Sequence, residues 1–169
     1  MSITFKKINI NSLLFKDFLD MLHDTYFEEH MRQDKSWEDF SFNKKQVTEN
    51  LSKANPKVKI VGCIDNGVMI GYCIYSPRNF CAVLGKISLV VEYWYIKPQF
   101  RGQWLFIKDF AKYLAKECLR NGWDKIEWWV NDSNEKLVKF YKHYSARKRD
   151  TVGVDMVFDR QQIERLVDI

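Results

Sequence analysis

The sequence predicts an α/β (mixed α+β) fold. Its centre is a mixed, mostly antiparallel, twisted sheet of about six to seven strands, with helices on both faces. Two observations predict it. Apolar, β-rich runs flank Asp65-Asn66-Gly67 and predict a hairpin, and strands alternate with amphipathic helices after residue 96. The 169 residues, 46% hydrophobic and 29% charged, predict a single domain over residues 1–169 and exclude fibrous and disordered chains.

The N-terminal part is predicted to contain one strand and two helices. Apolar side chains recur every four residues from Leu14 to Tyr26, which is typical of one face of a helix, and Asn11 or Ser12 supplies its N-cap. A loop at 34–42 precedes a more polar helix, which Pro56 ends. The predicted ranges are Thr4–Ile8 for the strand, up to Met31 for the first helix and Asn43–Ala54 for the second.

The middle of the chain is predicted to form an antiparallel meander. Asn66-Gly67 favours the positive φ angles of a two-residue hairpin turn. Pro77 is predicted to close the second strand, residues 78–86 to form a connection, and Lys97-Pro98 to end the third strand. The predicted strands are Val58–Ile64, Val68–Tyr75 and Ile87–Ile96.

The C-terminal part alternates between helix and strand. Gly122 stands where a helix C-cap is expected, and residues 132–135 have the spacing of a capping box. The predicted elements are a helix Leu105–Asn121, a strand Lys125–Val130, a helix from the capping box to Tyr144, a strand Thr151–Phe158 and a helix Gln161–Val167.

Charge and cysteine usage limit the functional classes. Residues 1–40 hold five Lys/Arg against eight Asp/Glu, and residues 41–169 hold 22 against 14, so a basic body follows an acidic start. The four cysteines form no C-x-x-C and are expected to be free thiols in a reducing compartment. With no histidine pair at ligand spacing, no signal peptide and no membrane-length apolar run, we expect a cytoplasmic protein without a metal site.

The segment from Tyr95 to Trp104 is the most specific one in the chain. A strand that passes through a short loop into a helix places backbone N–H groups where they bind an anion, and the helix dipole adds positive charge. Gly102 would allow a phosphate to approach the backbone, and Arg101 adds a permanent charge. An ordinary strand–loop–helix connection remains the alternative.

Together with the residues that follow, this segment resembles the GCN5-related N-acetyltransferase (GNAT) superfamily. The family pattern Q/R-x-x-G-x-G/A corresponds to Gln99, Gly102 and Trp104, while Asn134 and Tyr141 match its later Asn-x(6)-Tyr helix. The resemblance implies acetyl-CoA as co-substrate and direct acetyl transfer without a metal. The cofactor-binding residues that it implies are Trp94, Tyr95, Ile96, Arg101, Gly102, Gln103, Trp104, Leu105, Phe106 and Asn134.

The sequence departs from the family pattern at two positions of the loop and helix. Trp104 stands where the family has Gly or Ala, and Phe106 where a further glycine is common. An indole there would crowd the pyrophosphate, although the backbone N–H remains. This departure keeps open a non-catalytic or degenerate domain of the same fold that acts by binding a partner.

Glu92 and Tyr141 are the candidate catalytic residues. Glu92 interrupts an apolar strand, where an ionised carboxylate must be paired or lose its charge, and the resemblance implies a general base at this position. The resemblance likewise implies that Tyr141 is the general acid that protonates the thiolate of CoA. The alternatives are a cross-strand ion pair for Glu92 and core packing for Tyr141.

The acceptor is expected to be a primary amine of a small molecule or peptide. The family places it near the first two helices, which gives Tyr26, Glu28, Glu29 and Trp37 as substrate-binding candidates. A homodimer is kept open. A nucleic-acid partner is not favoured, because Trp123, Trp128 and Trp129 are expected to pack in the core and no nucleic-acid motif is present. No membrane partner is predicted.

Overall fold

The computed structural model describes residues 3–33, 42–53, 57–102, 104–130, 135–144, 146–151, 153–158 and 160–167. In chain order the elements are β1 (Ile3–Ile8), α1 (Phe15–Gln33), α2 (Lys44–Lys53), β2 (Lys59–Asp65), β3 (Val68–Cys81), β4 (Lys86–Ile96), a 3-10 turn (Pro98–Phe100), α3 (Trp104–Arg120), β5 (Lys125–Val130), α4 (Glu135–His143), β6 (Arg147–Thr151), β7 (Gly153–Phe158) and α5 (Arg160–Val167). None of the described helices is long and apolar enough to span a bilayer.

The strands follow the order β1-β2-β3-β4-β5-β7-β6, which confirms a mixed, mostly antiparallel sheet of seven strands. β1 pairs antiparallel with β2, and β7 pairs antiparallel with both β5 and β6. β4 and β5 are parallel, from Ser88↔Lys125 to Val91↔Trp128. The α3 crossover between them is what a parallel pair requires.

By its contacts the chain divides into two compact units, Met1–Ile74 with Tyr93–Gly102 and Tyr75–Glu92 with Gln103–Ile169. In the first unit α1 buries Phe15, Phe18, Met21 and Leu22 against apolar side chains of β1, β2 and β3, with Tyr95 from β4. In the second unit α3 packs against α5 and β5. Burial of these helix faces is the main stabilising contribution in each unit.

The predicted turn and cap residues take the expected conformations. Asn66 and Gly67 have φ angles of 48° and 83°, which the hairpin turn requires. The Ser12 hydroxyl accepts a hydrogen bond from the N–H of Leu14, and the Asn43 side chain accepts one from the N–H of Gln46. Gly122 has a φ of 68° at the end of α3. The proposed capping-box residues 132–134 lie outside the described residues.

The predicted end of the second hairpin strand at Pro77 is wrong. β3 continues to Cys81 and β4 begins at Lys86, so most of the predicted connection 78–86 is strand. β2 has seven residues and β3 fourteen, so β3 extends past the start of β2, and Pro77 lies in that extension, where its missing N–H breaks no ladder with β2. The predicted last strand, Thr151–Phe158, is likewise wrong at its start, because two strands, β6 and β7, meet there as a hairpin.

All four cysteines are thiols outside any disulfide, as expected. Cys63, Cys73 and Cys118 are buried, and Cys81 is half-buried. Among the described residues, no group of three or more His, Cys, Asp or Glu side chains is placed to hold a metal ion.

Candidate functional site

The loop between β4 and α3 contains a tight turn that backbone hydrogen bonds close. The N–H of Lys97 donates to the carbonyl of Ile70 at 3.0 Å, and the N–H of Arg101 donates to the carbonyl of Pro98 at 3.1 Å. Gly102 follows with a φ of 81°, a left-handed conformation that favours glycine. Apart from the adjoining residues, no atom of the described part of the chain lies within 4 Å of the position that a Cβ at Gly102 would occupy, so space is open beside the backbone there.

α3 begins two residues after Gly102 and is 17 residues long. The N–H groups of its first turn have no partner within the helix, and its dipole places partial positive charge at this end. Trp104, Leu105 and Phe106 form the backbone of that turn, but their side chains lie outside the described part of the chain, as does the whole of Gln103. The partial positive charge at the N-terminus of α3 therefore comes two residues after Gly102 in the chain.

The Arg101 side chain points to α1 of its own unit. Its Nη2 lies 2.7 Å from Glu28 Oε2, and its Nε donates to the carbonyl of Ile96 at 2.8 Å. The guanidinium also lies over the Tyr95 ring, 5.3 Å from the centroid. The Arg101 guanidinium, which the sequence places in the cofactor loop, therefore forms an ion pair with the carboxylate of Glu28.

Tyr95 joins the same cluster from β4. Its hydroxyl donates to Glu28 Oε1 at 3.4 Å, and its ring stacks on that of Tyr72. Burial, followed by the negative charges of Glu28 and Asp24, raises the pKa of Tyr95 above its ordinary value, while Arg101 opposes the shift. The phenol is therefore a neutral donor at physiological pH. Trp94 and Ile96, the neighbouring cofactor candidates, are half-buried.

Two of the four acceptor candidates lie together on α1. The Tyr26 hydroxyl lies 3.1 Å from the hydroxyl of Tyr93, and the Tyr26 ring also contacts Phe42. Glu28 is the carboxylate that binds Arg101. The Glu29 side chain and Trp37 lie outside the described residues, as does the cofactor candidate Asn134.

Glu92 lies in a central strand, as predicted, but it is exposed. Its Oε1 accepts a short hydrogen bond from the Ser76 hydroxyl of the neighbouring β3. Alternation along β4 explains this exposure, because Val91 faces the core and Glu92 therefore faces the opposite side. The roles expected for Glu92, a general base or a member of a cross-strand ion pair, stay predictions.

Tyr141 is buried on α4, with 1% of its surface exposed. Its ring packs edge-on against Trp128 at 4.7 Å between centroids. Trp128 is paired with Val91, the last residue of β4 in register with β5. Paired residues share a face of the sheet, so Tyr141 lies on the Val91 side and Glu92 on the other.

Trp129 is a candidate that the sequence analysis missed. It was assigned to the core with Trp123 and Trp128, which are indeed buried, yet 63% of Trp129 is exposed. Val91 and Trp128 are paired in register and share one face of the sheet. Glu92 and Trp129 are the next residues of the two strands, so their side chains both project from the other face. Two consecutive tryptophans in one strand cannot share a face, and this alternation is the signal that would have identified the exposed one.

A model of the acetyltransferase (GNAT) family matches residues 15–144 of the chain. No curated protein sequence matches it. Among solved structures, it is similar to the PaiA N-acetyltransferase of Thermoplasma acidophilum in complex with coenzyme A, at 18% identity and a TM-score of 0.66 over 93% of this chain and 97% of that one. The ribosomal-protein-alanine N-acetyltransferase of Brucella melitensis is 16% identical, with a TM-score of 0.68 over 91% and 98%.

A third similar structure is the NatC complex bound to Gag peptide and CoA. It is 12% identical, with a TM-score of 0.66 over 94% of this chain and 99% of that one. At these identities the three structures support the fold alone.

Proposed function

The chain belongs to the GNAT acetyltransferase family, and on that premise we propose that it transfers an acetyl group from acetyl-CoA directly to a primary amine. The observation that carries the proposal is the loop 97–102, where Gly102 has a left-handed φ and open space beside it immediately before a long helix. Backbone N–H groups at the start of a helix bind anions, and we call this arrangement the anion cradle; the pyrophosphate of coenzyme A is an anion that suits it.

The backbone N–H groups of Gly102 and of the residues up to Phe106 would hold the pyrophosphate, since the N–H of Arg101 already donates to the carbonyl of Pro98. They need no side chain for this, so the Trp104 and Phe106 backbones contribute in the same way as the residues they replace. Bound acetyl-CoA supplies an activated thioester. The protein positions the attacking amine and moves the two protons of the reaction, with no metal and no covalent enzyme intermediate.

Glu92 and Tyr141 would move those protons beyond the end of the β4–β5 register at Val91↔Trp128, where both strands continue and one reaction centre lies within reach of both side chains. Exposed Glu92 accepts the proton that the attacking nitrogen loses, with the Ser76 hydroxyl orienting its carboxylate. Buried Tyr141 donates its hydroxyl proton to the departing sulfur as the C–S bond breaks. Glu92 takes up one proton and Tyr141 delivers one, so the reaction balances, and the enzyme returns to its starting state when Glu92 releases its proton and the Tyr141 phenolate regains one as the products leave.

A cationic acceptor suits the groups around Glu92. The exposed indole of Trp129 offers a π-face, and the Glu92 carboxylate a negative charge, to an approaching ammonium. We propose a small molecule or a peptide as the carrier of that amine. Two of the similar structures support a peptide by their names, one acting on a ribosomal protein alanine and one bound to a peptide.

The test is release of free thiol from acetyl-CoA across a panel of amines and peptides, with Gly102→Val as the diagnostic variant. Any L-side chain at this φ is strained and fills the open space, so the KM for acetyl-CoA should rise at least tenfold. Gly122→Val is the matched control, because Gly122 also has a positive φ and open space but lies at the other end of α3. An unchanged KM in Gly102→Val would remove the cradle from the mechanism.

The second candidate function is a non-catalytic domain of the same fold that binds a partner. The observation that favours it is the pair Trp104 and Phe106 in place of small residues. If their side chains exclude CoA, Trp104→Gly should create or tighten CoA binding measured by calorimetry. Weaker binding in Trp104→Gly would instead make the tryptophan a ligand contact and leave the transferase as the function.

A further inference from the structure

The side chain of Arg101 folds back across the loop that it belongs to. Its Nε donates to the carbonyl of Ile96 at 2.8 Å, so it bridges the ends of the segment 96–101. Within that segment the N–H of Phe100 donates to the carbonyl of Lys97 at 2.9 Å. The side chain thus closes a turn that backbone hydrogen bonds have already tightened.

The same guanidinium is held from outside the loop by α1. Its Nη2 lies 2.7 Å from Glu28 Oε2, and the Tyr95 hydroxyl donates to the other oxygen of that carboxylate at 3.4 Å. We name Glu28, Tyr95 and Arg101 the Glu28 cluster. The Arg101 and Glu28 side chains are 37% and 28% exposed, so the pair is partly shielded from solvent.

The geometry of the Glu28 cluster needs a guanidinium. Only a planar fork presents Nε to the Ile96 carbonyl and Nη2 to Glu28 at once while its flat face covers the Tyr95 ring. A lysine ammonium carries the same charge on one point and cannot make both hydrogen bonds in this geometry.

We propose that Arg101 is a positioning residue for the cofactor loop, supported by Glu28, and not a ligand of the pyrophosphate. The Glu28 cluster holds residues 96–101 in the conformation that leads into Gly102. A contact from α1 thereby supports the affinity for acetyl-CoA. The inference rests on the proposed function for its ligand, and on the contacts of Arg101 for its mechanism.

Arg101→Lys and Arg101→Met separate positioning from phosphate binding. If Arg101 positions the loop, both variants should weaken CoA binding by about tenfold and raise the KM for acetyl-CoA with little change in kcat. The CoA Kd of both variants should depend on salt concentration as it does in the parent. If Arg101 binds phosphate through its charge, Arg101→Lys retains most of the affinity and Arg101→Met flattens the salt dependence. That second result would overturn the proposal.

Glu28→Gln tests the support from α1. It should weaken CoA binding as Arg101→Met does, and the double variant should be no weaker than either single one, because both remove the same interaction. Asp20→Asn is the matched control, since Asp20 also lies on α1 and pairs with Lys44 away from the loop. Additive losses from Glu28→Gln and Arg101→Met, or an equal loss in Asp20→Asn, would contradict the inference.

Amide hydrogen exchange distinguishes this inference from the proposed function. If the parent binds no CoA, the proposed function fails, and exchange at residues 97–102 still reports on the loop. Faster exchange there in Arg101→Lys than in the parent supports positioning. Unchanged exchange in Arg101→Lys shows that the side chain does not hold the loop, whatever the protein binds.

Discussion

At the scale of single residues, Glu92 and Tyr141 have the contrasting surroundings that a base and an acid need. The carboxylate of Glu92 is exposed and bonded to Ser76, so an acceptor in solvent can reach it. The phenol of Tyr141 is buried against Trp128, where a proton transfer from its hydroxyl would be shielded from bulk water. Each residue can therefore be tested by a substitution that changes one functional group.

Tyr141→Phe should lower kcat by about 10²–10⁴-fold and leave the thermal midpoint nearly unchanged. The ring and its contact with Trp128 remain, and only the proton donor is lost. Steady-state kinetics and a thermal melt measure the two effects. Tyr144→Phe, on the turn after α4, is the control and should keep full turnover. Full turnover in Tyr141→Phe would make Tyr141 a packing residue.

Glu92→Gln should also lower kcat, but its loss should shrink as the pH rises. At higher pH more of the acceptor amine is already neutral, so removal of its proton needs less help from the protein. The pH profile of kcat/KM from 6.5 to 9.5 checks this, and Tyr141→Phe should show no such recovery. Glu135→Gln, an exposed carboxylate on α4, is the control. A constant loss across the profile would contradict a role for Glu92 as base.

At the scale of elements, strands β3 and β5 enclose a charge cluster that the sequence does not reveal. Glu127 of β5 has 1% of its side chain exposed and binds both Arg78 of β3 and Lys125. Lys125 Nζ also lies 3.8 Å from the centroid of the Phe80 ring. Burial raises the pKa of Glu127, but the hydrogen bonds and charges of Lys125 and Arg78 outweigh it, so its pKa lies below the ordinary value.

This pKa shift predicts an acid-sensitive part of the stability. Because the carboxyl pKa is lower in the folded than in the unfolded protein, the unfolded state binds more protons between the two values. The stabilisation is complete above the ordinary pKa of about 4.5 and is lost as the pH falls through the folded value. Glu127→Gln should lower the free energy of unfolding by about 3–5 kcal/mol at pH 7, because it removes one partner of a buried ion pair, and stability should fall less steeply below pH 5 than in the parent.

Urea unfolding at pH 7 and pH 3.5 measures both parts of that prediction. Glu135→Gln again serves as control, because its pair with Lys139 has both side chains 78% exposed and should contribute under about 0.5 kcal/mol. Equal acid sensitivity in the parent and in Glu127→Gln would show that Glu127 does not carry the shift.

At the scale of the whole molecule, the three functional hypotheses predict different ligands. A transferase is stabilised by acetyl-CoA, because a ligand that binds only the folded state adds about 2.7 kcal/mol at a hundredfold excess over its Kd. A thermal melt should therefore rise by several degrees with acetyl-CoA, and less in Gly102→Val. A short RNA or DNA duplex should cause no shift, although residues 41–169 carry 22 basic against 14 acidic residues. Stabilisation by the duplex alone would favour a nucleic-acid binder.

Local rules predicted most elements, and they failed where strand pairing decided the outcome. The Asn66-Gly67 turn and the Gly122 cap took their predicted conformations, since both depend on the φ angles of one or two residues. Pro77 did not end its strand, because β2 does not extend to it. The start of the last strand was misplaced, since whether residues 147–158 form one strand or two depends on pairing with β5.

By itself the sequence determined the family, the strand–loop–helix segment with Gly102, and which residues are the candidate acid and base, because these depend on residue types at short spacings. Only the tertiary structure decided which charged side chains pair with each other and which side chains are exposed. It brought Glu28 of α1 to Arg101, Arg78 to Glu127, and turned Trp129 and Glu92 outward. These ion pairs join residues that are separated by tens of positions in the chain. A carboxylate can pair with any cation that the fold brings close to it, so the spacing of residues in the sequence does not predict which pair forms.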